Sequence, residues 1–131
     1  MTSNRLFVSY AIEEKQLFDS FIEQSKKEKV PYELVYLEAK EPLSPEWREE
    51  CKNRIESCQG VIFLISKLLS ISEGAFWEMK YSHDLNKPMI SVFVGDAGIR
   101  DKPRDLTGVM AMVLSWERIT DFMEKIQTVS V

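Results

Sequence analysis

Strand-length apolar runs that alternate with amphipathic helical segments predict an α/β protein, with one parallel sheet and helices on both of its faces. Three observations carry this expectation. Apolar runs recur at Leu6-Phe7-Val8, at Leu34-Val35-Tyr36-Leu37, at Val61-Ile62-Phe63-Leu64-Ile65 and over residues 89–94. Between them, apolar side chains return at helical spacing among charged residues, as at Leu17, Phe18, Phe21 and Ile22. The run at 61–65 shows no polar alternation, as expected of a strand buried on both faces.

Each element has its own local signals. The first strand is expected to end at Ser9-Tyr10, and Pro31 is expected to stop the first helix. The segment from Glu38 to Ser44 is rich in charge and turn formers and reads as a loop. Ser44 with Pro45 is a helix start, with Trp47, Cys51, Ile55 and Cys58 on one face and Gly60 as the closing residue. Ser72 is expected to cap a helix that reaches about Asn86. Pro88 precedes the fourth strand, residues 95–108 read as an exposed loop, and residues 109–116 as a weaker fifth strand. Ile119, Phe122, Met123, Ile126 and Val129 mark the last helix. Right-handed crossovers then give five parallel strands in the flavodoxin-like order 2-1-3-4-5, a three-layer fold. One domain over residues 1–131 is expected at this length.

Composition narrows the function. Lys and Arg number 17 against 21 Asp and Glu, a net charge of −4, so no phosphate-neutralising excess exists for nucleic acid. No polybasic run suits anionic lipid, and no apolar stretch is long enough for a membrane span. Cys51 and Cys58 are about 10 Å apart along a helix axis, too far for a disulfide between them. Two such thiols, and no apolar leader behind Met1, lead to the expectation of a cytoplasmic protein. With His83 as the single histidine, no metal site is expected.

In this fold, ligands bind outside the carboxyl ends of the strands, where strands 1 and 3 diverge. Ser9-Tyr10 and Ser66 stand there, which excludes the carboxylates of a phospho-receiver domain. No GxxxxGK[ST], GxGxxG or GxSxG occurs, and Gly95 with Gly98 reads as a plain turn. On a helical wheel of residues 72–86, Glu73, Lys80 and Asp84 form the wet stripe, and Glu78 leans to the opposite side. A carboxylate turned from solvent needs a reason, either a boundary side chain curling outward to a hydroxyl or a functional group.

Leu6-Phe7-Val8-Ser9-Tyr10 followed by Glu14, the block ending in Ile65-Ser66, Trp77-Glu78-Met79, and Lys87-Pro88-Met89-Ile90 resemble Toll/interleukin-1 receptor (TIR) domains. The similarity is greatest to small bacterial TIR-like proteins, including the signalling enzymes of Thoeris antiphage systems, and spans about residues 5–94. The resemblance implies NAD as a substrate rather than a cofactor. It implies nicotinamide release with ADP-ribose or a cyclic ADP-ribose isomer as product, and Glu78 as the catalytic residue. It further implies self-association through TIR surfaces and a separate effector protein that senses the product. A non-catalytic adaptor module is the first alternative, and a nucleoside deoxyribosyltransferase-like enzyme, which also uses a glutamate at a glycosidic bond, is the second.

By position, Ser9, Tyr10 and Ser66 are candidates to bind phosphate or ribose, or else ordinary turn hydroxyls. Trp77 is a candidate to stack on a base, or else a packing residue beside Tyr81. Trp47 is a candidate cover for the cleft, or else core. Glu13 and Glu14 read as a solvated first turn and His83 as structural. The chain departs from the family at Gly74, where relatives often carry tryptophan, and in the strand-2 loop, which lacks the common Arg-Asp and Pro-Gly elements.

Overall fold

The computed structural model describes residues 4–129, with side chains to Ile126. The strands are β1 (Arg5–Ser9), β2 (Glu33–Val35), β3 (Gly60–Ile65), β4 (Met89–Phe93) and β5 (Met110–Val113). They form one five-stranded sheet in the order β2-β1-β3-β4-β5, and every pairing is parallel. The helices are α1 (Lys15–Glu28), α2 (Pro45–Glu56), α3 (Glu73–Asp84) and α4 (Trp116–Val129). The strand order expected of alternating strands and helices is thus met.

The two faces divide the core. Phe7, Val61, Phe63 and Ile65 point to one side and pack with Cys51 and Ile55 of α2 and Ala75 and Met79 of α3. Leu6, Val8, Ile62 and Leu64 point to the other and meet Phe18 and Phe21 of α1 and Ile119 and Met123 of α4. Successive residues of β1 and β3 therefore enter opposite cores, which is why neither strand alternates with polar residues.

Ser44 caps α2, its Oγ accepting from the Trp47 N–H at 3.2 Å, with Pro45 in the first turn. Ser72 stands at the start of α3, but its hydroxyl makes no capping bond. Helix α1 ends at Glu28, and Lys29 takes a left-handed conformation with φ 51°. The helix thus stops two residues before Val30, the position that Pro31 disfavours in the helical region. Helix α3 ends at Asp84, and Asn86 turns the chain with φ 52°. Strands β2 and β5 are shorter than their apolar runs suggest, each lying at a sheet edge.

Gly60 is a correction. Helix α2 already ends at Glu56, and Gly60 opens β3. A Cβ there would lie 2.9 Å from both Phe122 and Ile126, so the glycine lets α4 approach the sheet. Gly60→Val is expected to cost about 1–3 kcal/mol by overpacking. Adding Phe122→Ala should return part of that loss in urea melts, whereas a helix-cap role would leave the two changes additive.

Candidate functional site

The site is built where β1 ends beneath α3. Ala75, Glu78 and Ser82 form the inward stripe of α3 and are fully buried, while Glu73, Lys80 and Asp84 face solvent. Asn86, placed on the inner side by the wheel, is exposed because the helix has already ended. Glu78 reaches the carboxyl end of β1, where its Oε1 accepts from Ser9 Oγ at 2.7 Å. The Tyr10 backbone N–H also bonds the carboxylate. Oε2 pairs with Lys40 Nζ, and the two side chains are 0% and 1% exposed. Ser82 Oγ donates to the Glu78 carbonyl at 2.7 Å rather than to the carboxylate.

Burial pushes the Glu78 carboxyl above its ordinary range, and the Lys40 charge, Ser9 and the Tyr10 N–H pull it back. Burial also raises the Tyr10 phenol, with the Glu78 charge adding to it. Both thiols are raised for the same reason, Cys58 to about 11, so neither is a reactive thiolate at neutral pH.

Tyr10 and Trp47 hold the loop after β2. The Tyr10 hydroxyl donates to the Leu37 carbonyl at 2.7 Å, and its ring stacks on Phe18 at 3.8 Å. Trp47 is buried in the core beside Cys51 and Ile55, and its Nε1 donates to the Ala39 carbonyl at 2.7 Å. Arg54 Nη1 donates to the Tyr36 carbonyl. Three anchored carbonyls, at Tyr36, Leu37 and Ala39, therefore bring the chain to Lys40, whose ammonium lies 4.0 Å above the Tyr10 ring.

The structure brings Ser9, Tyr10 and Glu78 into one cluster and sets Trp47 behind the neighbouring loop. Ser66 is buried at the end of β3, does not bond Glu78, and its Oγ has no hydrogen-bond partner among the described residues. Trp77 takes the packing alternative. It precedes Glu78 by one residue and so lies about 100° from it on the wheel, on the side of α2. Its ring carries the Arg48 guanidinium at 4.9 Å and the Tyr81 ring at 5.8 Å, so it packs between helices. Glu14 is not a solvated residue alone, since its Oε1 accepts from the Leu68 N–H at 2.8 Å and ties the β3 loop to the β1 loop. His83 Nε2 lies 2.7 Å from the Asp105 carbonyl, a structural bond.

Lys40 is the partner of Glu78 that sequence reasoning missed. One signal pointed to it. Glu78 has Gly74 and Ser82 one turn away on either side, so no cation of its own helix can reach it, and a buried carboxylate needs one. Gly74 also makes room for it, because a Cβ there would lie 3.0 Å from Lys40 Cβ and 3.1 Å from Cγ and Cδ.

A groove of about 730 Å³ runs along edge strand β2, lined by Glu33, Tyr36, Glu38, Trp47 and Arg54 among others; Glu78 does not line it. Among the described residues, no group of three or more His, Cys, Asp and Glu could hold a metal ion. No described helix is long and apolar enough to cross a membrane.

No family model matches the sequence, and no curated protein matches it. Solved structures do match. The TIR domains of the activated Roq1 resistosome, which directly recognises the pathogen effector XopQ, align with a TM-score of 0.54 at 12% identity. The alignment covers 97% of this chain and 83% of that one. A de novo designed Rossmann 2x3 protein aligns with a TM-score of 0.49 at 13% identity, covering 97% and 90%. The chain thus has a TIR-type fold, a doubly wound parallel α/β domain of flavodoxin-like order.

Proposed function

We propose that this chain is a TIR enzyme that cleaves NAD at the nicotinamide–ribose bond. The observation that carries the reading is Glu78, a fully buried carboxylate at the β1 end, held by the Ser9 hydroxyl and the Tyr10 N–H. Its position is the one where doubly wound folds bind ligands.

A single carboxylate suits this bond. The nicotinamide of NAD is a cationic pyridinium, and it leaves as a neutral molecule with the electron pair of the broken C1′–N bond. No general acid is needed. The positive charge passes to the ribose as an oxocarbenium ion, which a preorganised anion stabilises most in the transition state. Water adding to C1′ and losing a proton to solvent gives ADP-ribose; a nucleophilic atom of the same nucleotide gives a cyclic isomer. Ser9, bonded to the carboxylate, fixes the orientation of the anion. We assign the activity to bacterial antiphage immunity, with a separate effector protein sensing the product.

The second reading, a non-catalytic interaction module, is favoured by one observation: Glu78 already has an internal cation in Lys40. Incubation with NAD and, separately, with deoxynucleosides distinguishes the readings. Released nicotinamide supports the NAD enzyme, free base supports a deoxyribosyltransferase, and neither supports the adaptor. Self-association belongs to the same proposal, since a pocket buries most of its ligand and the groove along β2 is not lined by Glu78. Leu43, 86% exposed in the strand-2 loop, is an apolar residue suited to such a contact. Nicotinamide release per molecule is expected to rise with protein concentration; constant specific activity on dilution to a demonstrated monomer would count against self-association.

A further inference from the structure

We infer that β5 is an interface between two copies of this chain, whose β5 strands pair antiparallel about a two-fold axis and join the two sheets into one. The inference goes beyond the NAD reading and does not depend on it. The surface lies at the far edge of the sheet from β2 and the loop that follows it.

The sequence around β5 is written like that of a central strand. The eleven residues 106–116 carry no charge, the longest such run in the chain. The next longest, residues 57–66, contains β3, which is fully buried in the middle of the sheet. β5 instead stands at an edge, where Met110 is 65% and Val113 78% exposed. Exposed edges are commonly protected by charge, proline or a bulge, because their free N–H and C=O groups template a further strand. The β2 edge is protected in this sense. It carries Glu33, paired with Arg5, and the carbonyls of Tyr36, Leu37 and Ala39 that follow it accept from Arg54, Tyr10 and Trp47. At β5 the side chains that reach the backbone do so at the start of the strand. Lys102 Nζ donates to the Val109 carbonyl at 2.6 Å, and Ser91 Oγ of β4 donates to the Met110 carbonyl at 2.9 Å.

Charge and symmetry make the occupant a second copy. A strand that pairs with itself sets each residue near its own kind, so any charge in it would meet a like charge. A run without charge escapes that repulsion. It also offers no charge by which to select a foreign strand. With the β2 edge protected, β5 pairs with β5, and such an isologous contact closes at a dimer. A two-fold axis perpendicular to the sheet keeps each face on its own side, and successive side chains alternate between faces. Met110 and Met112 line the α4 side, and Ala111 packs on the opposite face, which Val113 shares by alternation. The methionines of the second copy therefore arrive on the α4 side. A groove of about 610 Å³ lies there, lined by Met89, Met110, Met112, Asp121, Phe122 and Lys125 among others. Methionine is the side chain that best adapts its shape to such a groove.

Sedimentation velocity of the full chain between about 5 and 500 μM reads the pairing. The native chain is expected to pass from monomer to dimer within that range. Val113→Lys places an ammonium at an exposed position beside the second strand, and should weaken association at least about tenfold with the thermal midpoint unchanged. Leu43→Lys, in the loop after β2, should leave the dimer intact. A native chain that stays monomeric at the highest concentration overturns the inference. So does a dimer that Val113→Lys leaves intact, and one that only Leu43→Lys dissociates places the contact at the loop after β2 instead. Hydrogen exchange of the native chain decides the matter even if Val113→Lys fails to fold. Residues 110–114 should exchange several-fold more slowly at the high end of the range than at the low end, and residues 33–35 equally at both. Equal exchange of residues 110–114 at both ends overturns the inference. Neither measurement involves NAD, so the interface and the NAD reading stand or fall separately.

Discussion

Glu78→Gln is expected to release nicotinamide from NAD at least about 100-fold more slowly than the native chain, with the loss in turnover. The glutamine keeps the size of the side chain and an oxygen to accept from Ser9, but carries no charge to stabilise an oxocarbenium ion. Reading the residues alone, stability should hold or improve, since a partly buried charge is removed. Lys40 reverses that expectation, because its buried ammonium loses its partner. Removing one member of a fixed buried pair costs about 3–5 kcal/mol. The pH dependence has a definite sign. Burial raises the folded Glu78 pKa above its ordinary 4.5, so the folded chain binds that proton more tightly than the unfolded chain. Its contribution to stability is full below 4.5 and is lost as pH rises through the raised value. Turnover should run the other way, rising over the same interval as the carboxylate ionises. Glu78→Gln should flatten both profiles. Thermal midpoints and nicotinamide release on the same samples check this, and native-like turnover in a folded Glu78→Gln would sink the catalytic assignment.

Phe63→Ala is expected to cost about 3–5 kcal/mol, the largest stability loss among these variants. Phe63 is fully buried at the centre of β3, on the face shared with α2 and α3. The chain cannot refill the space cheaply, because the surrounding side chains come from a central strand and two helices. Domains of this kind have about 5–15 kcal/mol in all, so the variant should unfold at clearly lower urea. Phe63 also stands opposite Ser9 in the β1–β3 ladder. Some loss of nicotinamide release per folded molecule is therefore expected along with the stability loss. A urea midpoint within experimental scatter of the native chain would show that the β3 core is not packed as described.

The strand-2 loop connects these results. Tyr10 and Trp47 were candidates for direct ligand contact, and their polar atoms are committed to the Leu37 and Ala39 carbonyls. Both hold the loop that carries Lys40, whose ammonium lies 4.0 Å above the Tyr10 ring. Trp77 contributes to the joint between α2 and α3 instead. The buried polar cluster thus consists of Ser9, Tyr10, Lys40 and Glu78, which come from the end of β1, the strand-2 loop and α3.

Local patterns in the amino-acid sequence determined a large part of this protein. Strand and helix periods, the Ser44-Pro45 start of α2 and the unbroken apolar run of β3 are written within a few residues of one another, and crossover handedness converts them to the order 2-1-3-4-5. The inward tilt of Glu78 was legible for the same reason, since a helical wheel is a local object. Tertiary structure alone decided what meets across the fold. Gly60 reads as a cap until α4 is packed on β3, and Trp77 reads as either a stacking platform or a packing residue until Arg48 of α2 is seen to cover it. The Lys40–Glu78 pair joins residues 38 positions apart. Periodicity and spacing carry no information about a contact at that separation. It exists because the sheet brings a loop and a helix to the same strand end, and because a buried carboxylate takes whichever cation the fold places within reach.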